Sequence, residues 1–131
     1  MVRITLVVFM LAFAVGCGSE DESAAPAQGR FAQLVVTVDA DGNGAKAGKQ
    51  VELTCATPGE NAACRAASRL KAADFEPVSP KRACTDIFGG PETATISGDL
   101  DGRTVKGTFR RANGCEVARW EKVSALLEQV E

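Results

Sequence analysis

Apolar and polar positions change rhythm several times along this chain, and each rhythm predicts a different element. Residues 4–15 form an apolar run of Ile, Leu, Val, Phe, Met and Ala, broken only by Thr5. Residues 31–38 (FAQLVVTV) are rich in β-branched side chains and read as a strand. The following residues 39–44 (DADGNG) read as a turn or loop. Residues 49–55 alternate strictly, with Val51, Leu53 and Cys55 on one side and Glu52 and Thr54 on the other. That is the mark of a half-buried strand. Pro58-Gly59 stops it, and Asn61 is placed to cap a helix predicted over residues 62–73. Ala63, Ala67 and Leu70 would form the inner stripe of that helix.

The pattern then lapses. Residues 74–91 are punctuated by Pro77, Pro80 and Pro91, with Gly89-Gly90 near the end. Long irregular segments in small domains are often functional. This one holds Ile87 and Phe88, bulky and apolar where a solvent loop is normally polar. Order returns with residues 92–100 and 103–111. Ala94, Ile96 and Leu100 alternate with Thr93, Thr95 and Ser97, Asp101-Gly102 makes a two-residue hairpin turn, and Val105 and Phe109 share a face of the return strand. Val117, Trp120, Val123, Leu126, Leu127 and Val130 then recur at three- and four-residue spacing. They predict a C-terminal helix, or two short ones, with Trp120 as a core anchor.

Composition narrows the function more than the fold. The chain has 131 residues, 45% hydrophobic and 24% charged, which is one domain's worth. It contains no histidine, so Ser-His-Asp triads, Cys-His dyads and most zinc centres are excluded. No nucleophile–base pair stands out, and the chain is expected not to be an enzyme. A net charge of −2 gives no electrostatic footprint for nucleic acid. No cofactor is expected.

The N-terminal apolar run is too short for a membrane-spanning helix, which needs about 20 residues. Preceded by Arg3, it matches a secretory signal covering residues 1–16. It ends in Ala14-Val15-Gly16-Cys17, which resembles a bacterial lipobox, so Cys17 is the expected lipidation site. Residues 17–30 are small, acidic and poor in apolar bulk, and read as a flexible tether to a domain over 31–131. The expected location is the outer face of the cytoplasmic membrane, reached through the lipid anchor, or the exterior.

Removing Cys17 from the five cysteines leaves Cys55, Cys64, Cys84 and Cys115. In an exported chain they imply two disulfides, with three possible pairings, of which the local one is simplest. A metal site built from them is not expected, since no close C-x-x-C pair exists. Asp39, Asp41 and Asn43, followed by Gly44, open like a calcium loop, but Gln50 stands where the bidentate glutamate belongs. The flanks read as strands, so the plain turn is the expectation and calcium the lesser alternative.

From about residue 34 to 115 the chain resembles the subtilisin inhibitor-like family of secreted bacterial serine protease inhibitors. The resemblance is carried by LVVTV at 34–38, VELTC at 51–55, Ala63-Cys64, Cys84-Thr85 followed by an apolar pair and a proline, a Thr-rich strand, Gly98, Gly102, Phe109 and Asn113-Gly114-Cys115. It implies an antiparallel sheet of about five strands with two helices packed on it. With the periodicities, the expected fold is α+β: an antiparallel sheet of about four to five strands, one helix between strands 2 and 3, and a C-terminal helix. The resemblance also implies the disulfides Cys55–Cys64 and Cys84–Cys115.

The family's reactive loop would place Cys84 at P3, Thr85 at P2, Asp86 at P1, Ile87 at P1′ and Phe88 at P2′. The reactive bond would be Asp86–Ile87, with Asn113 supporting the loop from below. Three features depart from the family pattern. P1 is acidic, Gly89-Gly90-Pro91 adds a residue and flexibility after the loop, and the tail after Cys115 reads as helix rather than strand. The expected partner is a serine protease of subtilisin-like or acidic-P1 specificity. The alternative is a non-inhibitory surface lipoprotein that uses the scaffold to bind an envelope or protein partner. A reactive loop must be rigid and exposed, whereas a plain scaffold is free to bury Ile87 and Phe88.

Overall fold

The computed structural model describes residues 29–44 and 48–130. The signal, Cys17 and nearly all of the expected tether lie outside the described residues. Four strands form one antiparallel sheet: β1 (Ala32–Asp39), β2 (Lys49–Cys55), β3 (Gly90–Leu100) and β4 (Arg103–Arg111), in the order β2-β1-β3-β4. Two short helices, α1 (Ala62–Ala67) and α2 (Ala72–Phe75), join β2 to the irregular segment before β3. A long helix, α3 (Gly114–Leu127), follows β4 and tightens into a 3-10 turn over Glu128–Val130.

Alternation along the strands decides what is buried. Ala32, Leu34 and Val36 of β1, Ala94, Ile96 and Leu100 of β3, and Val105 and Phe109 of β4 point into one core. Ala63, Ala67, Phe75, Val123, Leu126, Leu127 and Val130 close it from the helical side. Trp120 packs against this core from a half-buried position rather than at its centre. The sheet is in continuous register from Val38↔Ala94 to Ala32↔Leu100 between its two central strands. Gly98 interrupts the inward series for a steric reason: its φ is 137°, and a side chain there would run into the Gln33 carbonyl of β1. The β3–β4 turn is Asp101-Gly102, with φ of 49° and 71°, the positive pair that a tight hairpin requires.

The helical region differs from the sequence expectation. Residues 62–73 are not one helix. Asn61 caps α1 as expected, its Oδ1 accepting from the Cys64 N–H at 2.9 Å. The helix ends at Ala67, where the Arg69 and Leu70 N–H groups turn back to Ala66 and Ala67. Asp74 restarts it by accepting from the Lys71 N–H at 2.9 Å. The break redirects the chain so that Phe75 enters the core, edge-on to Phe109 with ring centroids 6.2 Å apart. The sheet has four strands, the lower of the expected numbers, and the tail is helix, as its periodicity predicted.

The cysteines pair as Cys55–Cys64 and Cys84–Cys115. Cys55 and Cys64 are fully buried and join the end of β2 to α1. Cys84 and Cys115 are half-buried and join the irregular segment to the first turn of α3.

Candidate functional site

The site is the run from Cys84 to Gly89, and it is held by the place where β4 ends and α3 begins. β4 finishes at Arg111, and Asn113 caps α3 by accepting from the Glu116 N–H at 3.0 Å. That cap fixes the direction of Gly114 and Cys115, the first two helical residues. Cys115 holds Cys84 through the disulfide, with the two Cα atoms 5.4 Å apart. The Gly114 N–H donates to the Thr85 carbonyl at 2.9 Å. On the far side, the Gly89 N–H donates to the Arg111 carbonyl at 2.7 Å. Asp86, Ile87 and Phe88 are therefore spanned between two anchors and remain exposed.

Asn113 is expected to hold the loop directly, but its side chain serves α3 instead. Its side chain caps the helix, and the neighbouring Gly114 N–H makes the bond to the loop. A Cβ on Gly114 would occupy the space of the Thr85 hydroxyl, so a larger residue there would have to turn the Thr85 side chain aside. The sequence points to Asn113 as the loop support, whereas the bond to the loop itself is made by Gly114. The available signal was an Asn three residues before Glu116, which marks a helix start and so the direction of the N–H groups after it.

Ile87 and Phe88 are 58% and 69% exposed, the large apolar side chains that remain in solvent among the described residues. Single exposed apolar residues are ordinary, so it is their adjacency on an anchored loop that makes this run the candidate site. Helix α3, which carries both Gly114 and Cys115, is itself tied to the rest of the fold. Arg119 pairs with Glu116 at 2.8 Å, donates to the Thr108 carbonyl at 3.2 Å and the Phe75 carbonyl at 3.4 Å, and lies 4.8 Å over the Phe109 ring. One guanidinium so ties α3 to β4 and to α2.

Gly89 and Gly90, which read as flexible in the sequence, are packed in place. A Cβ on Gly89 would press on Val117 of α3 and on Arg111, and Gly90 pairs with Arg111 at the start of β3. A cavity of ≈ 510 Å³ beyond them is lined in part by Asp39, Lys49, Glu92, Arg111 and Trp120. Asp39 is committed to its own turn, its carboxylate accepting from the N–H groups of Asp41, Gly42 and Gly44 at 2.9–3.2 Å. Among the described residues, no group of three or more His, Cys, Asp and Glu is arranged to hold a metal ion.

No protein-family profile matches the chain, and neither a curated protein nor a solved structure matches it.

Proposed function

We propose that this protein is a serine protease inhibitor that presents residues 84–88 as a substrate-like strand, with Asp86–Ile87 as the reactive bond. One observation carries the reading: the exposed Ile87-Phe88 pair lies between two structural anchors, a disulfide on one side and a β4 hydrogen bond on the other. A protease binds its substrate as an extended strand. Ordering a free loop on binding costs affinity, so a loop anchored beforehand binds tightly. In this reading the chain acts from the outer face of the cytoplasmic membrane, held by a lipid on Cys17, or from the exterior.

Asp86 then selects the target. An apolar S1 pocket would strip water from its carboxylate without offering a partner, at a cost of several kcal/mol. An acidic S1 pocket would repel it. A protease that accepts acidic P1 residues is the fitting partner.

Inhibition constants against subtilisin-like, trypsin-like and acidic-P1 serine proteases test this. The wild type is expected to inhibit only the last strongly. Asp86→Leu or Asp86→Met should gain at least about 10–100-fold on an apolar-S1 enzyme, and Asp86→Lys a comparable factor on a trypsin-like one. If no variant binds any of these enzymes while the fold is intact, the loop is not a reactive site. The non-inhibitory lipoprotein with an envelope or protein partner then takes its place.

A further inference from the structure

The two ends of the candidate loop are held by different means. The P3–P2 end has a covalent bond and a hydrogen bond to α3. The P2′ end runs into two glycines, the residues with most freedom to lose. Something has to hold them, and the contacts around them converge on one side chain. Gly89 lies so close to Arg111 that a Cβ would be 3.0 Å from both its Cβ and its Nε. The Arg111 guanidinium reaches Glu92 at 3.3 Å and stands 5.8 Å from the centre of the Trp120 ring on α3. Glu92 belongs to the stretch where the β3–β4 register shifts, between Gly90 and Thr93. Its carboxylate turns back so that a Cβ on Gly90 would collide with it. The Gly89-Gly90 backbone is thus bounded by Arg111, Glu92 and Val117.

We infer that Arg111 is a positioning residue that clamps the P2′ side of the loop, with Glu92 and Trp120 holding its guanidinium. Its backbone carbonyl takes the Gly89 N–H, and its side chain fills the space under the glycines. The consequence for inhibition rests on the function proposed above. When a protease serine attacks the Asp86 carbonyl, an acyl-enzyme forms and Ile87 leaves as a free amine. Rejoining the chain requires that amine to attack the ester carbon and expel the serine oxygen. A clamped Gly89 keeps the amine close, whereas a loose one lets water complete hydrolysis.

Amide hydrogen exchange on the full-length protein, resolved by residue, tests the clamp without any protease. Arg111→Met keeps the apolar stem and removes the fork. Glu92→Gln keeps the size and removes the ion pair, and decides the matter if Arg111→Met fails to fold. Exchange at Gly89 is expected to quicken at least about tenfold in Arg111→Met, and measurably in Glu92→Gln, with Val36 and Ile96 unchanged. No change at Gly89 in the folded variants, or equal quickening in the central strands, overturns the clamp.

A second arm uses a protease that the wild type or an Asp86 variant inhibits. Arg111→Met should associate normally and then release active enzyme over time, with the loop cut after residue 86. Persistent inhibition by that variant, with Gly89 loosened, overturns the link from clamp to resealing. If no protease binds any form, the inhibitor reading falls, and the exchange result alone supports or rejects the clamp.

Discussion

Gly114 is the position where one hydrogen atom in place of a methyl group decides the loop. Its N–H bonds the Thr85 carbonyl, and any Cβ would displace the Thr85 hydroxyl. Gly114→Ala should therefore cost about 1–3 kcal/mol through overpacking, although alanine is the better helix former. Adding Thr85→Ala removes the colliding oxygen and should restore most of the loss. A double-mutant cycle by urea denaturation checks that non-additivity. Asp74 gives a second test, in pH. Its carboxyl is held below its ordinary value of 3.8, chiefly by the hydrogen bond from Lys122, while partial burial opposes the shift. A carboxylate with a lowered pKa stabilises the fold above its ordinary pKa, and that contribution is lost as pH falls through the lowered value. Asp74→Asn should cost on the order of 1 kcal/mol or less at neutral pH, because the Lys122 end is largely in solvent. Wild type and variant should converge in melts once the pH has fallen through the lowered Asp74 value.

The two disulfides do separate jobs for the elements they join. Cys55–Cys64 lies inside the core and staples β2 to α1, so replacing both cysteines by alanine should cost about 2–4 kcal/mol. Cys84–Cys115 lies at the N-terminal end of α3 and anchors the loop, so if the proposed inhibitory function holds, its removal should weaken inhibition more than its effect on the melt accounts for. Peptide mapping without reductant should recover both pairs, and urea melts with inhibition constants separate the roles. Among the elements, what could be read from sequence depended on how local the signal is. Asn61 as a cap and the alternation in β2 are short-range patterns, and both were readable. The break between α1 and α2 was not, because Ser68, Arg69 and Leu70 are all acceptable in a helix. It arises because Phe75 gains a buried place against Phe109, and a straight helix would carry it elsewhere.

The molecule presents its loop at the junction of β4 and α3, and the chain's N-terminal segment carries the expected anchor. Cys17→Ser should release the protein into the medium or leave an unprocessed precursor, while the wild type stays with the membrane fraction. Fractionation and intact mass check this, and equal retention with no acyl mass on either form would sink the anchor. Residues alone were enough for the class of fold: strand faces follow from period-two alternation, the long helix from its apolar spacing, and the hairpin from Asp101-Gly102. Each of these signals sits within a few residues, where covalent geometry sets the period.

The strand order β2-β1-β3-β4 and the choice among three cysteine pairings depend on which distant segments come together. So does the candidate site. Asp86, Ile87 and Phe88 could be named from the chain, but their exposure could not, since the same residues fit a buried turn. The parts that hold them, Gly114, Arg111 and Glu92, carry no motif of their own. They become loop supports only because β4 and α3 meet beneath residues 85–89, and proximity across that separation is a property of packing, not of any local pattern.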